Sequence, residues 1–273
     1  MPVLRVLSLG AGVQSTTMAL MASAGELTPM PDAAIFADTQ WEPAAVYQQL
    51  AWLSEPGRLA FPVIIATAGD IKAGILSRRN TTGGEYSVIP WFTKNQDGTE
   101  SIGRRQCTNE YKIAPIMRAT RTLLGVGPRD YIRKGSVEVW IGISRDEASR
   151  MKPARQQWMV NRWPLIEREM TRADCLAWLQ RQGYPEPPKS ACVGCPFRRD
   201  SAWIEMRNMR PAEWADAVAV DAALRQGDAR GFRATEFMHD TRLPLPEAID
   251  LVERERREQP NLWENECEGM CGV

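Results

Sequence analysis

Apolar residues along the chain fall into short runs separated by longer segments with helical spacing. Val3 to Leu7 is a first apolar run of strand length, and Ser15 to Ala24, rich in Ala, Met and Leu, reads as the helix that follows it. Ala33 to Ala37 is a second short strand. Pro43 to Ser54, with Pro at its start and apolar residues at helical spacing, is the next helix. Phe61 to Ala66 gives a third strand and Gly69 to Leu76 a short helix. From Arg78 to Arg105 the pattern breaks into Gly, Thr, Asn and charged residues around YSVIPWFT, which predicts a mobile insertion or a hairpin over a site. Glu110 to Leu124 returns to helix, Val137 to Ile143 is a buried strand, and Thr171 to Gln182 is a helix capped by Thr171 with Asp174 as its capping-box partner. Beyond Cys195 the chain reads as helical, at Asp200 to Asn208, Pro211 to Gln226 and Leu245 to Arg257. The closing NECEGMCGV is polar and expected to be flexible unless something ties it down.

Strands alternating with helices predict an α/β fold, a doubly wound and mostly parallel sheet covered on both faces. We place this domain at residues 1–195, with a helical extension at 196–273. Ligands of such sheets bind beyond the carboxyl ends of the strands, where Ser8 to Gln14 and Asp38 to Glu42 both fall. A chain of 273 residues is long enough to bury a sizeable core. Lys+Arg and Asp+Glu balance at 34 each, so no global field draws it to a polyanion. A nucleic-acid contact would have to be local, for example around Arg104, Arg105, Lys112 and Arg118. The N-terminal apolar run is shorter than that of a secretory signal, and no stretch approaches the roughly 18 apolar residues of a membrane span, so the chain is read as cytoplasmic. The single histidine, His239, argues against a His-rich zinc hydrolase and reads as a surface or capping residue or a contact to a ligand phosphate. Six cysteines in a reducing compartment favour a metal, a cluster or a catalytic thiol over a disulfide framework.

The candidate chemistry starts at SLGAGVQSTTMA, Ser8 to Ala19. A strand, a glycine-containing turn and a helix start present unpaired backbone N–H groups and about half a positive charge, which suits an anion. Ser15, Thr16 and Thr17 add hydroxyl donors at the first helical turn. The loop is neither a Walker A sequence nor a dinucleotide G-x-G-x-x-G, and by itself it also reads as an ordinary tight turn. Arg145 and Arg150 supply planar forks for a phosphate or sulfate, or form a solvated face with Asp146 and Glu147. Cys192-Val-Gly-Cys195-Pro puts two thiols on one tight turn, a metal claw that two ligands do not complete. Cys175, beside Leu176 and Trp178 in a helix, reads as a small buried hydrophobe.

Gly10 to Thr16 resembles the S-G-G-x-D-S/T loop of the PP-loop ATP pyrophosphatase superfamily, and more closely its degenerate form in the phosphoadenylyl-sulfate and adenylyl-sulfate reductases, where Gly-Ile-Gln stands against Gly12-Val13-Gln14. FADTQWEP (Phe36 to Pro43), CTNEYKIAPI (Cys107 to Ile116), GISRDEASR (Gly142 to Arg150) and PLIEREMTRADCLAWL (Pro164 to Leu179) are similar to further segments of that family, in the same order. The resemblance covers about Leu7 to Cys195 and implies an adenine-nucleotide site made of Ser8, Gly10, Gly12, Gln14, Ser15, Thr16, Asp38, Thr39, Lys112, Arg145 and Arg150.

Its cluster-carrying members use a tandem Cys-Cys plus a later C-x2-C; here the tandem reads Gln106-Cys107. The resemblance thus implies a 4Fe-4S cluster on Cys107, Cys192 and Cys195, with Cys271 or Cys267 as a fourth ligand or with an open iron; zinc and unligated thiols remain the alternatives. Glu266-Cys267-Glu268-Gly269 resembles the reductases' C-terminal Glu-Cys-Gly, which makes Cys267 the nucleophile, though Glu268 replaces a glycine and the family's following histidine is absent. A disordered or metal-binding tail is the other reading.

The implied reaction is thiol-dependent reduction of adenylyl sulfate or 3′-phosphoadenylyl sulfate to sulfite, with a thioredoxin-like reductant as partner. Two further readings stand beside it. One is an ATP-dependent enzyme that adenylates a nucleotide or nucleic acid and transfers sulfur through a three-cysteine cluster, which suits Ser15-Thr16 and the missing tandem cysteine. The other is a nucleotide-binding accessory module without turnover.

Overall fold

A computed structural model describes residues 3–83, 89–226 and 234–258. The chain begins with β1 (Leu4–Leu9), α1 (Val13–Ser23), β2 (Ala33–Asp38), α2 (Ala44–Leu53), β3 (Val63–Thr67) and α3 (Ile71–Ser77). A hairpin, β4 (Phe92–Asn95) and β5 (Glu100–Ile102), precedes a π-helical segment, Thr108–Ile113, that runs into α4 (Ala114–Leu123). Then come β6 (Val137–Ile141), a 3-10 segment (Arg145–Arg150), β7 (Met159–Arg162), α5 (Pro164–Glu167) and α6 (Arg172–Arg181). The last described elements are α7 (Asp200–Met209), α8 (Pro211–Arg225), β8 (Ala234–Phe237) and α9 (Leu245–Glu258).

Five strands form a parallel sheet in the order β3-β2-β1-β6-β7. Its central strands β2, β1 and β6 are largely buried, as strands covered by helices on each side require, while the edge strands β3 and β7 leave Ile65 and Val160 exposed. Leu7, Leu9, Phe36 and Trp140 pack with α1 and with Leu179 of α6. Their strand neighbours Val6, Ile35, Val139 and Ile141 point the other way, toward Ile116 of α4. The α/β reading of the sequence therefore holds, and the strand order changes direction at β1, which opens a crevice above β1 and β6.

The stretch expected as an insertion or hairpin does form a hairpin, β4–β5, antiparallel and exposed along β5. Its other partner was not expected: β8, from the region read as purely helical, pairs antiparallel with β4. β8 is only four residues long and carries Glu236, which is buried against Arg78 at 2.9 Å. So short a segment with an inward carboxylate lacks the alternation by which a strand is read from sequence. A third core joins Trp41, Ile71, Trp91 and Tyr111 to Trp203, Met206 and Ile249, so residues on both sides of position 195 share it.

The α6 start is a capping box as read: Asp174 N donates to Thr171 Oγ1 at 3.2 Å and Thr171 N donates to Asp174 Oδ2 at 2.9 Å. Among the described residues, no helix is long and apolar enough to cross a membrane.

Candidate functional site

Between Leu9 and Val13 the chain must turn from strand to helix in three residues, Gly10-Ala11-Gly12. Ala11 takes φ 55°, a left-handed conformation that alanine rarely adopts, and its side chain is fully buried. Gly12 caps α1 without a side chain, so the first-turn amides have no acceptor within the helix. Ser15 closes the turn from inside: Gly10 N donates to its Oγ at 3.1 Å, and its hydroxyl donates to Gly12 O at 3.3 Å.

Two other segments press onto this turn. A Cβ on Gly10 or Gly12 would come within 3.2 Å of Ser190, and one on Gly142, just after β6, would lie 3.0 Å from Ser15 N. These three glycines let the 188–190 segment and the end of β6 approach the α1 N-terminus closely.

A cavity of about 260 Å³ opens at this point, walled by the carboxyl ends of β1, β2 and β6. Six cationic side chains, Lys112, Arg150, Arg172, Lys189, Arg198 and Arg199, line it against two carboxylates, Glu42 and Glu147. With the α1 amides, that surplus gives the cavity a chemistry suited to an anion. Glu147 pairs with Arg150 at 2.5 Å and accepts from Gln14 Nε2 at 3.2 Å, so it orients both groups within the wall.

Of the residues expected to bind a nucleotide, Ser8, Gly10, Gly12, Gln14, Ser15, Lys112 and Arg150 line the cavity. The other four do not line it. Thr16 points into the core from α1 and is fully buried. Asp38 braces the turn after β2, its Oδ1 accepting from Gln40 N at 2.8 Å and from Tyr47 Oη at 2.9 Å. Thr39 lies behind the wall, where its hydroxyl donates to Glu42 Oε1 at 3.0 Å. Arg145 is exposed on the 3-10 segment, and its charge acts on Asp174.

The thiols gather beside the same wall. The Cys192 thiol donates to Glu42 Oε1 at 3.4 Å and lies 3.4 Å from Thr39 Oγ1. Its turn is seated on Trp41: Val193 N donates to Trp41 O at 2.9 Å, and a Cβ on Gly194 would come 2.1 Å from the indole. Burial, followed by the Glu42 carboxylate, pushes the Cys192 thiol far above the ordinary range, against the pull of Lys112. Burial likewise raises Cys107. Burial opposes the Lys112 charge, but the Glu42 carboxylate outweighs it and raises the ammonium above its ordinary range.

Cys107, Cys192 and Cys195 thus all lie within electrostatic reach of one lysine. Among the described residues, however, no group of three or more His, Cys, Asp or Glu side chains is placed to hold a metal ion. As placed, these thiols do not fit the cluster that the resemblance implies. Cys267 and Cys271 lie outside the described residues. Cys175 is fully buried in the core, as read. His239 is buried too, with Nε2 2.9 Å from Asp200 Oδ1 and Nδ1 3.0 Å from Thr241 Oγ1, and it does not line the cavity.

Sequence reasoning put Glu42 at the ligand-binding end of the sheet without naming it as a site residue, and missed Glu147, Arg172, Lys189, Ser190, Arg198 and Arg199 as wall residues. The only local signal was their nearness to motifs: Glu147 lies inside GISRDEASR, and Arg198 and Arg199 follow the C-x2-C turn. Arg198 also ties that turn to the cavity, donating from Nη2 to Cys192 O at 2.9 Å.

No family model matches the chain, and no curated protein matches it. Among solved structures it is similar to a crystal structure of phosphoadenylyl-sulfate (PAPS) reductase from Candida auris in a phosphate complex. The two are 14% identical, with 68% of this chain and 76% of that one covered, and the TM-score is 0.43.

Proposed function

We propose that the cavity binds an adenine sulfonucleotide, adenylyl sulfate or its 3′-phosphorylated form, and that the chain reduces it to sulfite with thiols. The observation that carries this reading is the cationic cavity at the N-terminus of α1, set among the motifs that resemble the sulfonucleotide reductases. The first-turn amides of α1, with Gln14 and Arg150, hold the anionic end of the substrate, and Arg172, Lys189, Arg198 and Arg199 neutralise its remaining charge.

In this mechanism the thiolate of Cys267 attacks the sulfonyl sulfur. The bridging sulfur–oxygen bond breaks, the nucleotide leaves with its phosphate oxygen charged, and Cys267 carries an S-sulfo group. A second thiolate, from a thioredoxin-like dithiol, then attacks the Cys267 sulfur, forming a disulfide and releasing sulfite. The dithiol's other thiol closes its own disulfide and returns Cys267 to the thiolate. The cationic wall stabilises the leaving phosphate.

No step passes through iron. A cluster on Cys107, Cys192, Cys195 and Cys271 would require the Cys192 thiol to leave Glu42 and Thr39. The iron and sulfide content of an anaerobic preparation tests it.

The activity test incubates the protein with adenylyl sulfate, and separately with its 3′-phosphorylated form, in the presence of a dithiol. Sulfite release by the wild type, lost in Cys267→Ser with nucleotide binding intact, is the expected result. Release of AMP or pyrophosphate from ATP, with no reaction of either sulfonucleotide, would overturn the reading in favour of ATP-dependent chemistry.

A further inference from the structure

The C-x2-C turn is held as a frame that does not depend on its sulfurs. Cys195 N donates to Cys192 O at 3.1 Å, Arg198 N donates to Cys195 O at 3.1 Å, and Arg198 Nη2 donates to Cys192 O at 2.9 Å. Val193 N and Gly194 seat the same turn on Trp41. Both thiols are reduced and half-buried. A turn closed from the fourth residue's N–H to the first residue's carbonyl brings those two Cα atoms within about 7 Å, and disulfides span Cα separations of about 4.4–6.8 Å. Side-chain rotations at Cys192 and Cys195 are then enough to join the sulfurs, with every backbone bond of the turn in place.

In the reduced state the Cys192 thiol has another task. It donates to Glu42 Oε1 at 3.4 Å, beside Thr39 Oγ1 at 3.0 Å and Lys112 Nζ at 3.9 Å from the same oxygen. Glu42 is a carboxylate of the cavity wall whose side chain is only 3% exposed, and its Oε2 has no hydrogen-bond partner among the described residues. Such a carboxylate has no donor to spare. A disulfide carries no S–H, so oxidation of Cys192 removes one. Lys112, which also lines the cavity, is the charge nearest to replace it, and its closer approach to Glu42 takes an ammonium away from an anion bound there.

We infer that Cys192 and Cys195 form a dithiol–disulfide couple whose oxidation weakens anion binding in the cavity. The mismatch between these thiols and the implied cluster points the same way: among the described residues they are not grouped to hold a metal ion, yet two of them are placed for each other. Cys195 reacts first, because the Cys192 proton is held by Glu42. Its thiolate attacks one sulfur of a low-molecular-weight disulfide, the S–S bond breaks, and the first half leaves as a thiolate that takes up a proton. Cys192 then loses its proton, attacks the Cys195 sulfur and expels the second half as a thiol. Two electrons and two protons pass from the cysteine pair to the oxidant, and a dithiol reverses the exchange. The effect on the cavity rests on the nucleotide reading above.

The test equilibrates the purified full chain, prepared without oxygen, with glutathione disulfide or with dithiothreitol, then alkylates the remaining thiols and maps them by mass spectrometry. AMP binding is titrated by calorimetry in both states. A link between Cys192 and Cys195 should form in glutathione disulfide and be reversed by dithiothreitol. The linked chain should bind AMP about 10-fold more weakly, the worth of one charge-assisted hydrogen bond, and Cys195→Ser should bind it equally in both buffers. The inference is overturned if both cysteines stay open to alkylation in the oxidant, or if either links to Cys107 instead. It is also overturned if AMP affinity differs less than twofold between the linked and reduced chain, or if Cys195→Ser keeps the dependence on the buffer. Iron and sulfide in the purified protein, with these cysteines shielded from alkylation, overturn it as well. All of these outcomes leave the nucleotide reading standing. Failure of the reduced chain to bind AMP overturns that reading and the switch with it. The wild-type comparison stands whether or not the variant folds.

Discussion

Gly142→Ala is a sharp test of how the anion cradle is assembled. The glycine sits just beyond β6, and the added Cβ would lie 3.0 Å from Ser15 N, 3.2 Å from Ser15 Cα and 3.3 Å from Gln14 C. All three are backbone atoms of the first turn of α1, so no side-chain rotation relieves the contact. Either β6 or the helix start must retreat by a few tenths of an ångström. Overpacking of this kind costs about 1–3 kcal/mol. Because the moving part is the turn whose amides face the cavity, loss of one charge-assisted hydrogen bond should also weaken nucleotide binding about 10-fold or more.

Urea denaturation gives the first quantity and AMP titration the second. Val139→Ala is the control: Val139 is buried in the same strand, on the α4 face, and its truncation costs about 2 kcal/mol without touching the cradle. Affinity unchanged within twofold in Gly142→Ala, or an equal loss of affinity in both variants, would refute the claim that β6 sets the position of the anion cradle.

Arg150 and Arg145 come from the same motif, yet only Arg150 lines the cavity. Arg150→Ala should raise the KM for adenylyl sulfate about 10-fold or more, the worth of one hydrogen bond to a charged group, while Arg145→Ala leaves it within about twofold. Equal effects in a sulfite-release assay would show that Arg145 reaches the ligand. Cys175 predicts an alkaline weakness. Burial pushes its thiol up to about 12, whereas an unfolded thiol ionises near about 8.5. Between those values the unfolded chain holds fewer protons than the native one, so the contribution is fully present below the lower value and is lost as pH rises, at no more than about 1.4 kcal/mol per pH unit. Denaturation at pH 8 and pH 10 should show Cys175→Ala losing less stability than the wild type over that interval; parallel losses would remove the assignment.

The local features of this protein were legible because each depends on neighbours in sequence. Alternating apolar runs identify β1, β2, β3 and β6, since residues that face two helical layers must be apolar on both sides. Thr171 and Asp174 announce the start of α6 because a capping box closes within four residues. Gly10, Gly12 and Ser15 mark the strand-to-helix turn for the same reason, as their bonds span no more than five positions.

What the sequence left open depends on distance in the chain. Nothing near Glu42 signals that the Cys192 thiol, 150 residues later, holds one of its oxygens. Nor does the family-like motif separate Arg150 from Arg145, because which one turns inward is decided by the 3-10 segment and by the Glu147 bridge to Gln14. β8 becomes a strand by pairing with β4, and Glu236 is buried there because Arg78 meets it. Ser190 closes on Gly10 and Gly12, and Arg198 joins the thiol turn to the cavity, only once the chain beyond α6 folds back over the end of the sheet. The turn proposed to hold an anion is a local construction, but the cavity around it is made by segments more than a hundred residues apart, and tertiary packing alone brings those together.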